Sequence, residues 1–324
     1  MKKRIIAAAL SLCIILQSVI VSVMAEDISK SVEDVIREGF YSFSESIDIR
    51  EYKIPPSELT RLVSSVIKDD PYLFFVNWHL SFSFVEGGHV LSLRPTYNMT
   101  EEEVFFSLEY CKERAREIAS AAADCEGQGA MALFVHDYIC DNFGYDDTME
   151  SDDLLDFFKS GKGTCQGYAA AYMAVLRELG IPCHYVASDT ISHIWNLVEI
   201  DGEWYHVDLT WDDSSGEGSR RHFLLSDRLA EERGHRDWYS SVRVVCDSEK
   251  FDGEDFDSWL IGIHNTGDCD HDGEVGLADL LRLRRRISRG DFGDTCSFCA
   301  DLDGDGFFCN GDVALLRKKL LCTD

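Results

Sequence analysis

Residues 161–186 read "GKGTCQGYAAAYMAVLRELGIPCHYV". Two glycines, Gly161 and Gly163, bare the backbone just ahead of Cys165, and an apolar helix is expected to start there. A structural cysteine needs no glycines before it. A nucleophile does, because the chain must be open around the sulfur. The N-terminus of a helix also offers unbonded N–H groups and the positive end of the helix dipole.

From Ile181 onward the hydrophobic period changes to two. The stretches "HIWNLVEI" (193–200) and "EWYHVDLT" (203–210) flank Asp201-Gly202, a dipeptide that favours a two-residue hairpin turn. Such a turn sets Ile200 opposite Glu203, and therefore Trp195 opposite Asp208. His193 then shares a face with Asp208 and lies diagonal to it, at roughly 7–8 Å between backbones, a span that side chains can bridge. A helix N-terminus and a nearby imidazolium both favour thiolate, and lower a cysteine pKa from its usual value of about 8.5. Cys165 would attack an acyl carbon, His193 would move the proton, and Asp208 would fix the tautomer of His193. Gln166, by side chain or backbone N–H, is the candidate oxyanion donor. Trp195, Trp204 and Trp211 read as core or cleft wall, and His136 and His235 as structural.

Three segments in this order, "GKGTCQGYAAAYMAVLRELGIPC", "HIWNLV" and "WYHVDLTWDD", resemble the core of the transglutaminase-like superfamily, whose fold is related to papain. "HDYICDNFGYD" upstream and "HFLLSDRLAEERGHRDW" downstream resemble the flanks of that core in secreted bacterial members. The resemblance covers about residues 131–238. It implies an α+β fold with a nucleophile helix packed on an antiparallel sheet, and maps Cys165 to the nucleophile, His193 to the base and Asp208 to the orienting carboxylate. It also implies cysteine-dependent acyl transfer on a protein or peptide, with no cofactor needed for catalysis. Hydrolysis of a peptide, isopeptide or amide bond is expected ahead of cross-linking, since water is the default acceptor. The alternative is a catalytically silent binding or structural component.

Near the C-terminus, "DCDHDGEVGLAD" (268–279) and "DLDGDGFFCNGD" (301–312) share one pattern of Asp at positions 1, 3, 5 and 12 and Gly at 6. Oxygen ligands at alternating positions wrap a calcium ion, and the glycine permits the sharp turn. The expected ligands are Asp268, Asp270, Asp272, Glu274 and Asp279 in loop 1, and Asp301, Asp303, Asp305, Phe307 and Asp312 in loop 2, the seventh position acting through its carbonyl. Two copies offset by 33 residues (301 − 268) make coincidence improbable. The segment resembles a type I dockerin, a small all-α module with two EF-hand-like loops that plugs into cohesins of a cellulosome scaffoldin. On that resemblance two Ca2+ are bound. Partner recognition falls on Leu277, Ala278, Arg284 and Arg285, and on Asn310, Gly311, Arg317 and Lys318. Cys296-x-x-Cys299 suggests zinc less than a disulfide, as no second such pair follows at ribbon spacing.

The remaining sequence sets the context. Lys2, Lys3 and Arg4 precede an apolar run from Ile5 to Val23 and a Val23-Met24-Ala25 cleavage pattern, so residues 1–25 are expected to be a signal peptide, with retention as a membrane anchor the alternative. No later segment is apolar enough to span a bilayer, and a secreted, cellulosome- or surface-associated protein is expected. Removing three basic residues takes the net charge from −28 to −31, which argues against nucleic acid and anionic membranes as partners. Eleven of the twelve cysteines lie beyond the signal segment, and ten of them could pair once one nucleophile is set aside. The expected organisation is 1–25 signal, 26–125 helical and strand region, 126–257 transglutaminase-like core and 265–324 dockerin.

Overall fold

A computed structural model of the chain describes residues 30–85, 88–123, 125, 127–148, 152–215, 219–252, 267–269, 275–289, 297–300, 302 and 309–321. The expected signal segment and the expected domain boundary near 257–265 lie outside these residues. Two compact units emerge, one of residues up to 66 with 78–96, the other of 67–77 with 97 onward.

The chain opens with α1 (Val32–Tyr41), capped by Ser31, whose hydroxyl accepts from the Asp34 N–H. Strand β1 (Ile47–Asp48), helix α2 (Pro56–Lys68), β2 (Ser81–Phe84) and β3 (Val90–Arg94) follow. Both β1 and β2 pair antiparallel with β3, which is the central strand of this small sheet.

In the second unit, α3 (Glu101–Ala122) starts at the capping box that Thr100 and Glu103 spell in the sequence. Helix α4 (Gln128–Asn142) begins three residues before the apolar pattern at Met131, because its first turn is small and polar and carries no periodicity. Next come β4 (Gly144–Tyr145), α5 (Leu154–Ser160), β5 (Lys162–Gly163) and α6 (Cys165–Glu178). The sheet of this unit is built from β6 (Cys183–Ser188), β7 (His193–Ile200), β8 (Glu203–Val207) and β9 (Tyr239–Ser240), in the order β8-β7-β6-β9 and antiparallel throughout. Helices α7 (Leu209–Ser215) and α8 (Asp227–Glu232) lie between β8 and β9.

Helix α6 is the hub. It packs on β6 and β7 with one face and against α3, α4 and α5 with the others, so Tyr168, Ala171, Tyr172, Val175 and Leu176 are all buried. A helix apolar nearly all round belongs in a core. The result is the expected α+β arrangement, with the helix that begins at Cys165 packed against an antiparallel sheet. Asn196 on β7 donates from its side-chain amide to the Ala169 carbonyl at 3.1 Å, which ties sheet to helix close to Cys165.

The C-terminal module contributes α9 (Leu277–Arg289), α10 (Ser297–Ala300) and α11 (Asn310–Leu321). Helices α9 and α11 pack together around Leu283 and Leu316, which are separated by the same 33 residues (316 − 283) as the two acidic loops. Of the cysteines that could pair, Cys111, Cys140, Cys183, Cys246 and Cys309 carry free thiols among the described residues, as does Cys165. Cys111 and Cys246 are buried among apolar side chains, where a thiol serves as a small hydrophobe. Cys296 and Cys322 lie outside the described residues.

Gly167, in the first turn of α6, gives a direct test of this packing. A Cβ there would meet Cδ2 of Phe157 at 2.8 Å, and Phe157 is fully buried and stacked on Phe143. Gly167→Ala should therefore destabilise the protein by about 1–3 kcal/mol, read as a lower urea midpoint, although alanine is the better helix former by about 1 kcal/mol.

Candidate active site

The glycine-rich turn before Cys165 is held from the side. The β4–β5 ladder pairs Gly144 with Lys162 and Tyr145 with Gly163, and the Asp146 N–H donates to the Gly163 carbonyl at 3.0 Å. Lys162 Nζ lies 3.1 Å from the Asp146 carboxylate. Thr164 takes the N-cap position of α6 with extended backbone but makes no side-chain cap. The N–H groups of Cys165, Gln166 and Gly167 have no carbonyl of their own helix to bond. Cys165 and Gln166 are both half-buried.

The hairpin has the register expected from its turn. Asp201 and Gly202 both have positive φ, 54° and 87°, and Ile200 pairs with Glu203 and Asn196 with Val207. His193 and Asp208 consequently meet: His193 Nε2 lies 2.7 Å from Asp208 Oδ2, and both side chains are buried. Cys165 lies close enough to act on the same imidazole, favouring its protonated form. The structure thus brings together the three residues singled out in the sequence.

Two indoles enclose the imidazole. Trp211 stacks on His193 at 4.9 Å and 7°, and Trp195 lies on it at 5.6 Å and 19°. Burial alone would lower the His193 pKa, but the Asp208 charge and hydrogen bond, aided by Cys165, push it up to about 9. Burial would raise Asp208, yet the charge and hydrogen bond of His193 and then those of His235 hold it well below the carboxylate range. Asp208 Oδ1 accepts from the Trp211 N–H at 3.1 Å, so the same carboxylate caps α7. These contacts favour the protonated form of the His193 imidazole.

His235 sits 2.9 Å from Asp208 Oδ2, fully buried, where the sequence reading made it merely structural. It follows α8 in a loop, and no periodicity or spacing links it to Asp208. His136 has the structural setting expected of it. It bonds Asp137 at 3.0 Å and Asp212 at 3.1 Å, and Asp137 is paired with Arg220 at 2.6 Å. Burial opposes its protonation, but both carboxylates push its pKa up to about 9.

Among the described residues, two clusters have metal-like composition, His193–Asp208–His235 and His206–Asp227–Cys246. The second is fixed in the wrong tautomer for a metal. Trp195 Nε1 can only donate, and it donates to His206 Nδ1 at 2.9 Å, so the ring proton is on Nε2, which donates to Asp227.

In the C-terminal module, Asp268, Asp279 and Asp312 are buried. Asp279 accepts from the N–H groups of Cys269 and Gly276, each at 2.7 Å; Asp312 accepts from those of Leu302 and Cys309, each at 2.8 Å. The position-12 carboxylate therefore closes each loop by the same two bonds. This donor chemistry fits calcium. Asp270, Asp272, Glu274, Asp301, Asp303, Asp305 and Phe307 lie outside the described residues. Leu277, Ala278, Arg284, Arg285, Asn310, Arg317 and Lys318 are exposed along α9 and α11, and Gly311 is half-buried.

Residues 112–209 match the Transglutaminase-like superfamily, and residues 266–321 match the Dockerin type I domain. The first match contains Cys165, His193 and Asp208; the second contains both acidic loops. Among solved structures, a TGase aligns at 15% identity over 62% of this chain and 54% of its own, with a TM-score of 0.32. The chain thus spans about half the length of that structure. A proposed cysteine protease from Cytophaga hutchinsonii aligns at 15% identity over 52% and 78%, TM-score 0.29. A proposed protease from Parabacteroides distasonis aligns at 14% identity over 42% and 39%, TM-score 0.25. No curated protein matches the chain. No helix among the described residues is long and apolar enough to cross a membrane.

The raised histidines carry a pH signature. His193 and His136 have folded pKa values of about 9 against an ordinary 6.5. A raised pKa contributes stability that is complete below about 6.5 and is lost as pH rises through about 9. The urea midpoint should fall between pH 7 and 9.5, and the fall should shrink in Asp208→Asn. A midpoint flat across that window, in wild type and variant alike, would contradict the ion pairing described.

Proposed function

We propose that the chain is an exported, cysteine-dependent acyl-transfer enzyme that hydrolyses a peptide, isopeptide or amide bond and docks through its C-terminal module. The observation that carries this reading is the 2.7 Å His193–Asp208 bond, with Cys165 at the start of α6 close enough to act on the same imidazole. Cys165 as thiolate attacks the acyl carbon. The first-turn N–H groups of α6, with Gln166 at the same turn, face the developing oxyanion. His193 protonates the leaving amine, which departs and leaves the acyl group on sulfur. His193 then takes a proton from water, whose oxygen attacks the thioester and expels the sulfur as thiolate, releasing the acid and restoring the thiolate–imidazolium pair. Asp208 stays ionised and orients the ring.

The dockerin domain supports a cohesin of a scaffoldin as partner and an extracellular, cellulosome-associated setting. Asp279 and Asp312, with the other loop carboxylates, would hold two Ca2+, which would neutralise the crowded charge and order α9 and α11. The exposed side chains at Leu277, Ala278, Arg284, Arg285, Asn310, Arg317 and Lys318, with Gly311, form the proposed contact.

Cys165→Ala should abolish turnover of a peptide library and His193→Ala nearly so, while Asp208→Asn should cost up to ~10⁴-fold, all three staying folded. Retained activity in Cys165→Ala would overturn the assignment. Iodoacetamide at pH 6 should label Cys165 ahead of Cys111, Cys140, Cys183 and Cys246, whose thiols burial pushes well above the usual cysteine range.

For the docking module, calorimetric titration of the EDTA-stripped protein should show two Ca2+ taken up per chain, with helix gained and cohesin binding restored. Cohesin binding that is unchanged in EDTA would refute the docking mechanism and leave the catalytic reading intact.

A further inference from the structure

We propose that His235 is a positioning residue of the site, a second imidazole that holds the Asp208 carboxylate and shares its charge with His193. The proposal rests on the Cys165–His193–Asp208 reading and concerns a residue outside that triad. Asp208 Oδ2 lies 2.7 Å from His193 Nε2 and 2.9 Å from His235 Nε2, so one oxygen serves two rings. A buried carboxylate oxygen only accepts, so both rings donate to it. His235 cannot swing away. Trp211 covers it at 4.3 Å and Trp195 at 4.6 Å, the same indoles that sandwich His193. Its other nitrogen is 3.3 Å from the Ala230 carbonyl, in the loop that follows α8.

The groups around His235 leave it as the second donor. Besides Asp208 and His193, its titratable neighbours are His206, at 6.4 Å between rings, and His222, at 5.5 Å. Asp227 is bonded to His206, while Asp212 and Arg233 act on His222 from further out. Burial, with help from the His235 charge, holds both His206 and His222 below the usual histidine range, so neither competes for Asp208.

A structural histidine would affect only folding. A positioning histidine sets how strongly Asp208 pulls on His193, and so how long the thiolate–imidazolium pair persists as pH rises. Losing one donor concentrates the carboxylate charge on His193, and losing the restraint lets the carboxylate turn.

The test is the pH profile of Cys165 alkylation by iodoacetamide in the full chain, which needs no substrate. In His235→Leu the alkaline break near 9 should move up by about one unit, the worth of one charge-assisted hydrogen bond. In the same variant kcat on the peptide library should fall at least tenfold with KM nearly unchanged. His235→Gln, whose amide can still donate, should restore most of both. A His235→Leu profile that superimposes on wild type overturns the proposal. A wild-type Cys165 with no enhanced reactivity at pH 6 overturns the triad reading instead. Should His235→Leu not fold, the imidazole nitrogen spectrum of 15N-histidine wild type decides. The His235 Nε2 resonance must shift with the His193 titration, and a resonance flat through it overturns the proposal.

Discussion

A carboxylate buried away from water is tolerable only if donors surround it, and Asp208 collects three. The Trp211 N–H binds one oxygen, and two imidazoles bind the other. Its own N–H donates to the His222 carbonyl at 2.8 Å. The start of α7, the tilt of His193, the seat of His235 and the stacking of Trp211 all follow from satisfying that one group. Trp211 belongs to the set because it gives its backbone to the carboxylate and its ring to the histidines.

The same device recurs in the C-terminal module. Asp279 and Asp312 each staple the two ends of a loop through backbone N–H groups and sit buried at the foot of a helix. In both parts of the chain an acid placed at the head of a helix does structural work before any chemistry or ligand is considered. That use accounts for some of the acidic excess. Much of the rest is exposed and keeps the chain strongly anionic.

Legibility followed distance along the chain. The Cys165 turn, the capping box at Thr100 and the His193–Asp208 juxtaposition were readable because each depends on residues within one turn, one helix start or one hairpin. His235 was not, since it reaches Asp208 through a loop whose path is set by packing on Trp211 and Trp195. Cysteine count could not decide pairing, because counting treats every sulfur as a bonding partner, whereas Cys111 and Cys246 fill apolar volume. The onset of α4 carries no hydrophobic signal, because the helix begins on small and polar residues before its apolar stripe does.

The hairpin between His193 and Asp208 has a consequence for how this sequence can vary. His193 opens β7 and Asp208 directly follows β8, the two strands are joined by two residues, and side chains alternate faces at every step. One codon gained or lost in that turn would slip the pairing and swing Asp208 to the opposite face, with every side chain intact and no pairing with His193. Substitutions there are graded in their effect, but changes of length are all or nothing. Such a hairpin is a ruler, and its tolerance to insertion is far narrower than the ordinary appearance of its residues suggests.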